Sequence, residues 1–136
     1  MNEDGLVLVV EDNAANYVLA RAVLGLEGFR VEIATSAQEA REWLQAIVPD
    51  VILMDVQLPG QDGLSLTREL KADSDTSCIP IVALTAHAMT GDRERALEAG
   101  CDGYISKPIN TRTFGDQVRE FMGAARGNLH GEVAAS

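Results

Sequence analysis

Four places in the chain put polar or charged residues at the end of a short apolar run. Leu6–Val10 leads into Glu11 and Asp12, and Val51–Met54 into Asp55. Ile79–Leu84, interrupted by Pro80, leads into Thr85 and the small Ala86, and the weaker run Gly103–Ile105 leads into Lys107-Pro108. Runs this short, rich in Val and Ile, read as strands buried on both faces. Strands laid side by side gather those polar ends at one rim. Two unit charges about 4 Å apart repel by roughly 4 kcal/mol at an effective dielectric near 20, so carboxylates from neighbouring strands need a counter-charge. The hard, octahedral shell of Mg²⁺ suits carboxylate oxygens, a backbone carbonyl and waters, and Lys107 adds positive charge from the far side. An aspartate beside such a cation, a lysine and a hydroxyl suits phosphoryl transfer, with Asp55 as the acceptor of an aspartyl phosphate. The cation and Lys107 would neutralise the phosphoryl oxygens in the transition state, and Thr85 would hydrogen-bond one of them.

The elements that must position these groups follow from the spacing of apolar residues. Leu19, Val23 and Leu26 stand at helical intervals, and Ala40, Trp43, Leu44 and Ile47 form a second face of this kind. Ser36 with Glu39 three residues on is a capping-box signature for that second helix. Leu66 and Leu70 mark a third helix after the turn at 59–63. Met89–Ala99 reads as a fourth, closed by Gly100, and Phe114, Val118, Phe121 and Met122 as a fifth. The mixed segment Val31–Ala34, broken by Glu32, reads as an edge strand, and Thr35-Ser36 after it offers nothing ionisable. The fourth helix has little apolar surface beyond Ala96 and Leu97, so it is expected to be loosely anchored.

A βα unit repeated five times predicts a five-stranded parallel α/β sheet with helices on both faces and right-handed crossovers. The expected strand order is 2-1-3-4-5, the flavodoxin-like arrangement. It makes strands 1 and 3 neighbours and places a ligand site beyond their carboxyl ends.

Bulk properties narrow the function. At 136 residues the chain fits one domain, expected over residues 1–122, with a flexible tail at 123–136 that lacks periodicity. A formal net charge of −10 argues against nucleic acid as a partner, which needs clustered Lys and Arg, and against docking on an anionic membrane. Cys78 and Cys101 have no metal-ligand spacing and read as reduced thiols. The acidic first residues lack the basic start of a signal peptide, and no apolar run approaches a membrane span; the expected location is the cytoplasm.

Glu11-Asp12, Asp55, Thr85-Ala86 and Lys107-Pro108 together resemble the signature set of the response-regulator receiver family of two-component signalling. The resemblance spans about residues 6–122. Val10-Glu11-Asp12-Asn13, Asp55 through Gly60, Asp62-Gly63, Leu84 through Ala88 and Asp102 through Pro108 support it. It implies Asp55 as phosphoacceptor, Asp12 and Asp55 as direct Mg²⁺ ligands with the backbone carbonyl of Gln57, and Glu11 as an indirect one. It further implies Lys107 paired with Asp55 and then with the phosphoryl group, Thr85 and Tyr104 as a switch pair, and a Lys107-Pro108 bond that is often cis. Ala86 would keep the site open to the donor, and His87, like Gln57, would tune the lifetime of the modified form. The implied partners are a sensor histidine kinase or histidine phosphotransfer protein, and a downstream protein reached through the face of the fourth helix, fifth strand and fifth helix. With no output domain after residue 122, the reading is a stand-alone, mostly monomeric switch rather than an enzyme.

Two other readings compete. A haloacid-dehalogenase-like phosphohydrolase also uses an aspartate nucleophile, but needs a second aspartate two residues on, where this chain has Gln57. A receiver-like adaptor that is never phosphorylated would keep the fold without the chemistry, and the full acidic set with Lys107 counts against it.

Overall fold

A computed structural model of the chain describes residues 5–58, 62–86 and 91–122. Five strands, β1 (Gly5–Val10), β2 (Phe29–Ala34), β3 (Val51–Asp55), β4 (Ile81–Thr85) and β5 (Gly103–Ser106), alternate with helices α1 (Ala14–Leu26), α2 (Ala37–Ala46), α3 (Gly63–Ala72) and α4 (Asp92–Ala99). A fifth helix, α5, covers residues 114–122. The sheet has the order β2-β1-β3-β4-β5, and every neighbouring pair is parallel. This is the predicted flavodoxin-like arrangement.

The apolar runs become strands because they feed two cores at once. Leu8, Val10, Ile52, Met54, Ile81 and Ala83 point to one face, against residues of α2, α3 and α4. Val7, Val9, Leu53, Val82 and Leu84 point to the other, against Ala20, Leu24, Phe114, Val118 and Met122. Each fully buried Val, Leu or Ile side chain stabilises the fold by about 1.5–3 kcal/mol. β2, at the edge, is only half buried.

Local signals set the boundaries. Asn13 caps α1 by accepting the Asn16 N–H at 3.1 Å. Ser36 caps α2 through the Glu39 N–H, also at 3.1 Å. Glu39 does not return to the cap residue itself: its carboxylate accepts from the N–H and hydroxyl of Thr35, at 2.6 and 2.8 Å. These bonds hold its pKa below the ordinary glutamate value.

Three expectations are corrected. The fourth strand starts at Ile81, not Ile79; Pro80 has no N–H to give a ladder, although its carbonyl accepts from Ile52 N–H at 2.9 Å. In α1 the buried residues are Ala20 and Leu24, while Leu19 is 37% and Leu26 90% exposed. That helix is apolar nearly all round, so periodicity alone picks no single face. Finally, α4 starts at Asp92 rather than Met89, because Gly91 has φ +93° and a left-handed residue does not continue a right-handed helix.

α4 is thinly anchored. Gly91 offers no side-chain cap, Leu97 is 45% exposed, and Ala96 and Ala99 carry its burial. Amide exchange across residues 93–99 is therefore expected to run about tenfold or more faster than at Ala20–Leu24 of α1. Equal protection of the two helices in a deuterium-exchange series would contradict this account of α4.

Candidate functional site

β1 and β3 lie side by side with Val10 aligned to Met54. Glu11 and Asp12, just past the end of β1, and Asp55, the last residue of β3, therefore stand together at one rim of the sheet. One carboxylate oxygen from each of Glu11, Asp12 and Asp55 lies within 4.8 Å of the other two. Glu11 and Asp55 are buried, whereas Asp12 is open to solvent.

β5 brings the counter-charge. The Lys107 N–H donates to the Thr85 carbonyl at 2.8 Å, extending the β4–β5 ladder by one bond, and the Lys107-Pro108 peptide is cis. Lys107 Nζ then sits 2.9 Å from Glu11 Oε1 and 3.1 Å from Asp55 Oδ1. The resemblance pairs Lys107 with Asp55 alone; in the structure the lysine bridges both acids. Its close approach to Glu11 gives that buried carboxylate an ion-pair partner. Glu11 Oε2 accepts the Asn13 N–H at 3.2 Å. Asp55 Oδ1 accepts the Gln57 N–H at 3.1 Å, which places the Gln57 peptide against the carboxylate.

Electrostatics follow from this crowding. Burial, then contact with Glu11, pushes the Asp55 carboxyl up to about 6, against the pull of the Gln57 N–H and Lys107. Burial draws the Lys107 ammonium down, but Glu11 and Asp55 together more than reverse it, so its pKa lies above the ordinary lysine value. One lysine does not neutralise three carboxylates. The excess negative charge and the all-oxygen donor set of Glu11, Asp12 and Asp55 fit a hard divalent cation such as Mg²⁺.

The other residues singled out from sequence fall around this pocket. Thr85 ends β4, is buried, and is aligned with Ser106; exposed Ala86 follows. Tyr104 is half-buried on β5, aligned with Ala83. His87 and the tail at 123–136 lie outside the described residues. Cys78 is an exposed free thiol and Cys101 a buried one. No described helix is long and apolar enough to cross a membrane.

Two neighbours of the site carried no chemical signal in the sequence. Arg93 of α4 lies over the Tyr104 ring, 5.3 Å from its centre. Gly63, which the sequence showed only as part of an Asp-Gly turn, packs directly under the Asp55 carbonyl.

Sheet order and rim chemistry together define an α/β domain with a carboxylate–lysine pocket at its switch point. Residues 7–119 match the response regulator receiver domain, and the chain belongs to that family. It is 41% identical over 119 residues to the polar-differentiation response regulator DivK of Brucella ovis, covering 88% of this chain and 97% of that protein. Among solved structures, it is similar to the receiver domain of a Pseudomonas aeruginosa sensor histidine kinase with a magnesium ion coordinated in its active site cleft. That match has a TM-score of 0.81 and 37% identity, covering 88% of this chain and 98% of the other. A chemotaxis response regulator of Vibrio cholerae matches with a TM-score of 0.80 and 26% identity over 85% and 97% of the two chains. The chain is a receiver domain of two-component signalling.

Proposed function

We propose that this receiver is switched by a phosphoryl group carried on Asp55. The observation that carries the proposal is the buried Asp55 carboxylate held between Glu11 and Lys107 beside exposed Asp12. Asp12, Asp55 and the Gln57 carbonyl are the proposed Mg²⁺ ligands, with Glu11 behind them. A cation held there supplies charge neutralisation to the transferring phosphoryl oxygens. An Asp55 oxygen forms a bond to phosphorus as the P–N bond to a partner histidine breaks, and the imidazole leaves neutral, with its proton on the other ring nitrogen. Lys107 follows the negative charge from the carboxylate to the phosphoryl oxygens, and Thr85 donates a hydrogen bond to one of them. Exposed Ala86 leaves the donor a path.

The phosphohistidine donor is a sensor kinase or a histidine phosphotransfer protein. Thr85 and Tyr104 pass the change to the face of α4, β5 and α5, where a downstream protein reads it or the phosphoryl group moves on. The chain works in the cytoplasm, mostly as a monomer, and turns over no external substrate. DivK, named as a response regulator, supports a switch of this kind.

Intact mass after incubation with acetyl phosphate tests the reading. One phosphoryl adduct is expected in Mg²⁺, falling at least about a hundredfold in EDTA or in Asp55→Asn. An adduct that ignores Asp55 would rule out the acceptor. No adduct under any condition would favour the unphosphorylated adaptor.

A further inference from the structure

Arg93 belongs to the first turn of α4, and its guanidinium carbon lies 5.3 Å from the centre of the Tyr104 ring, within cation–π range. That ring stands on β5 three residues before Lys107, the lysine that bridges Glu11 and Asp55. Tyr104 packs against the core shared with Ala96 and Ala99 of α4. It also borders a groove of about 510 Å³ lined by Pro108, Asn110, Thr113 and Gln117. The ring therefore has α4 on one side and open volume on another. Among the described residues of α4, two alanines carry the burial, and Gly91 ahead of the helix gives it no side-chain cap.

We propose that Arg93 is a positioning residue, whose stack on Tyr104 ties the first turn of α4 to the ring so that helix and ring move together. The stack exists only while the ring stands against α4. A ring that swings away loses it, and the first turn of α4 loses a hold on the sheet. Its regulatory consequence rests on the function proposed above, in which Tyr104 changes place as Asp55 takes up the phosphoryl group: a change that carries the ring off α4 must break the stack, so the stack opposes uptake. Coupling of this kind is reciprocal, and removal of the stack shifts the population towards the swung form.

Arg93→Ala and Arg93→Lys in the full chain test this. The chain's other tyrosine, Tyr17 of α1, is an internal control. In Arg93→Ala, the ring shifts and χ1 couplings of Tyr104 should change while those of Tyr17 stay. Exchange across residues 93–96 and the rate of uptake from acetyl phosphate should each rise about two- to fivefold. Arg93→Lys, which keeps a cation over the ring, should restore most of each effect. Unaltered Tyr104 signals in Arg93→Ala would overturn the proposal, as would a lysine variant that behaves like the alanine one. Altered Tyr104 signals with unchanged uptake, in a chain that does take the phosphoryl group, would reduce Arg93 to a structural contact and overturn its regulatory part. A wild type that takes no phosphoryl group would defeat the proposed function instead, and the Tyr104 signals and α4 exchange would then decide the clamp by themselves.

Discussion

In EDTA at pH 7.5, Asp55→Asn is expected to melt about 5 °C above the wild type. The reason is the charge the wild type must hold without a cation. Burial and Glu11 push the Asp55 carboxyl up to about 6, whereas an unfolded aspartate titrates near its ordinary value of 3.8. Between those two values the folded chain binds more protons than the unfolded one. Stability therefore declines as pH rises from about 4 through about 6, and the loss is complete above that. A shift of this size is worth about 1–3 kcal/mol, and each kcal/mol moves the melting point of a domain of this size by about 3–5 °C. The substituted asparagine has nearly the same shape and no charge, so the variant escapes the loss. The advantage should vanish below about pH 4, where wild-type Asp55 is protonated. It should shrink or reverse in saturating Mg²⁺, which binds the folded wild type and stabilises it by mass action. Thermal melts of both proteins at about pH 3.5, 5, 6 and 7.5, with and without Mg²⁺, give the full pattern. An asparagine variant that is less stable than wild type in EDTA would mean that the pocket is not charge-strained.

The residues that make this pocket were legible in the sequence because each is a sharp chemical change at the end of an apolar run. Glu11-Asp12, Asp55, Thr85 and Lys107 all stand at or just past the ends of short strands dominated by apolar residues, and the parallel topology then fixes where those strands end. The same logic failed where composition gave no contrast. α1 is apolar on most of its surface, so Leu19 and Leu26 looked as fit for the core as Ala20 and Leu24. The start of α4 was misplaced because a lone glycine in a helical pattern is usually tolerated, and only the backbone at Gly91 shows it to be left-handed.

Contacts between distant parts of the chain were less legible still. Nothing in the sequence pairs Arg93 with Tyr104 or Lys107 with Glu11, because both contacts depend on side-chain reach across elements. The stacking of Gly63 under Asp55 was hidden for another reason. An Asp-Gly pair signals a turn, and that reading stops short of asking what lies beneath the glycine.

The missing side chain of Gly63 gives the second large expectation. A Cβ at this position would stand 2.0 Å from the Asp55 carbonyl oxygen, 3.0 Å from its carbon and 3.3 Å from Met54 Cγ. The first two atoms are backbone and cannot rotate away. Gly63 N–H also donates to the Val56 carbonyl at 3.0 Å, and its own carbonyl accepts from the buried Thr67 hydroxyl at 2.9 Å, so the start of α3 is bonded on both sides. Gly63→Ala must displace either α3 or the end of β3. Overpacking of this sort costs about 1–3 kcal/mol, a loss of roughly 5–10 °C in melting point. The functional loss should be larger in proportion, because the segment pushed aside carries Asp55: a shift near 1 Å in a reacting group costs about a hundredfold. Mg²⁺ affinity and phosphoryl uptake should both fall by at least about tenfold in protein that is still folded at about 20 °C. Gly25→Ala supplies the contrast. Gly25 lies in α1 with nothing within 4 Å of an added Cβ, so the same change there should leave Mg²⁺ binding alone and raise stability by about 0.5–1 kcal/mol through helix propensity. Paired melts and Mg²⁺ titrations of the two variants separate the cost of losing a glycine from the cost of crowding Asp55. If Gly63→Ala melted and bound Mg²⁺ like the wild type, α3 would be free to slide, and close packing under β3 could not be what holds Asp55 in place.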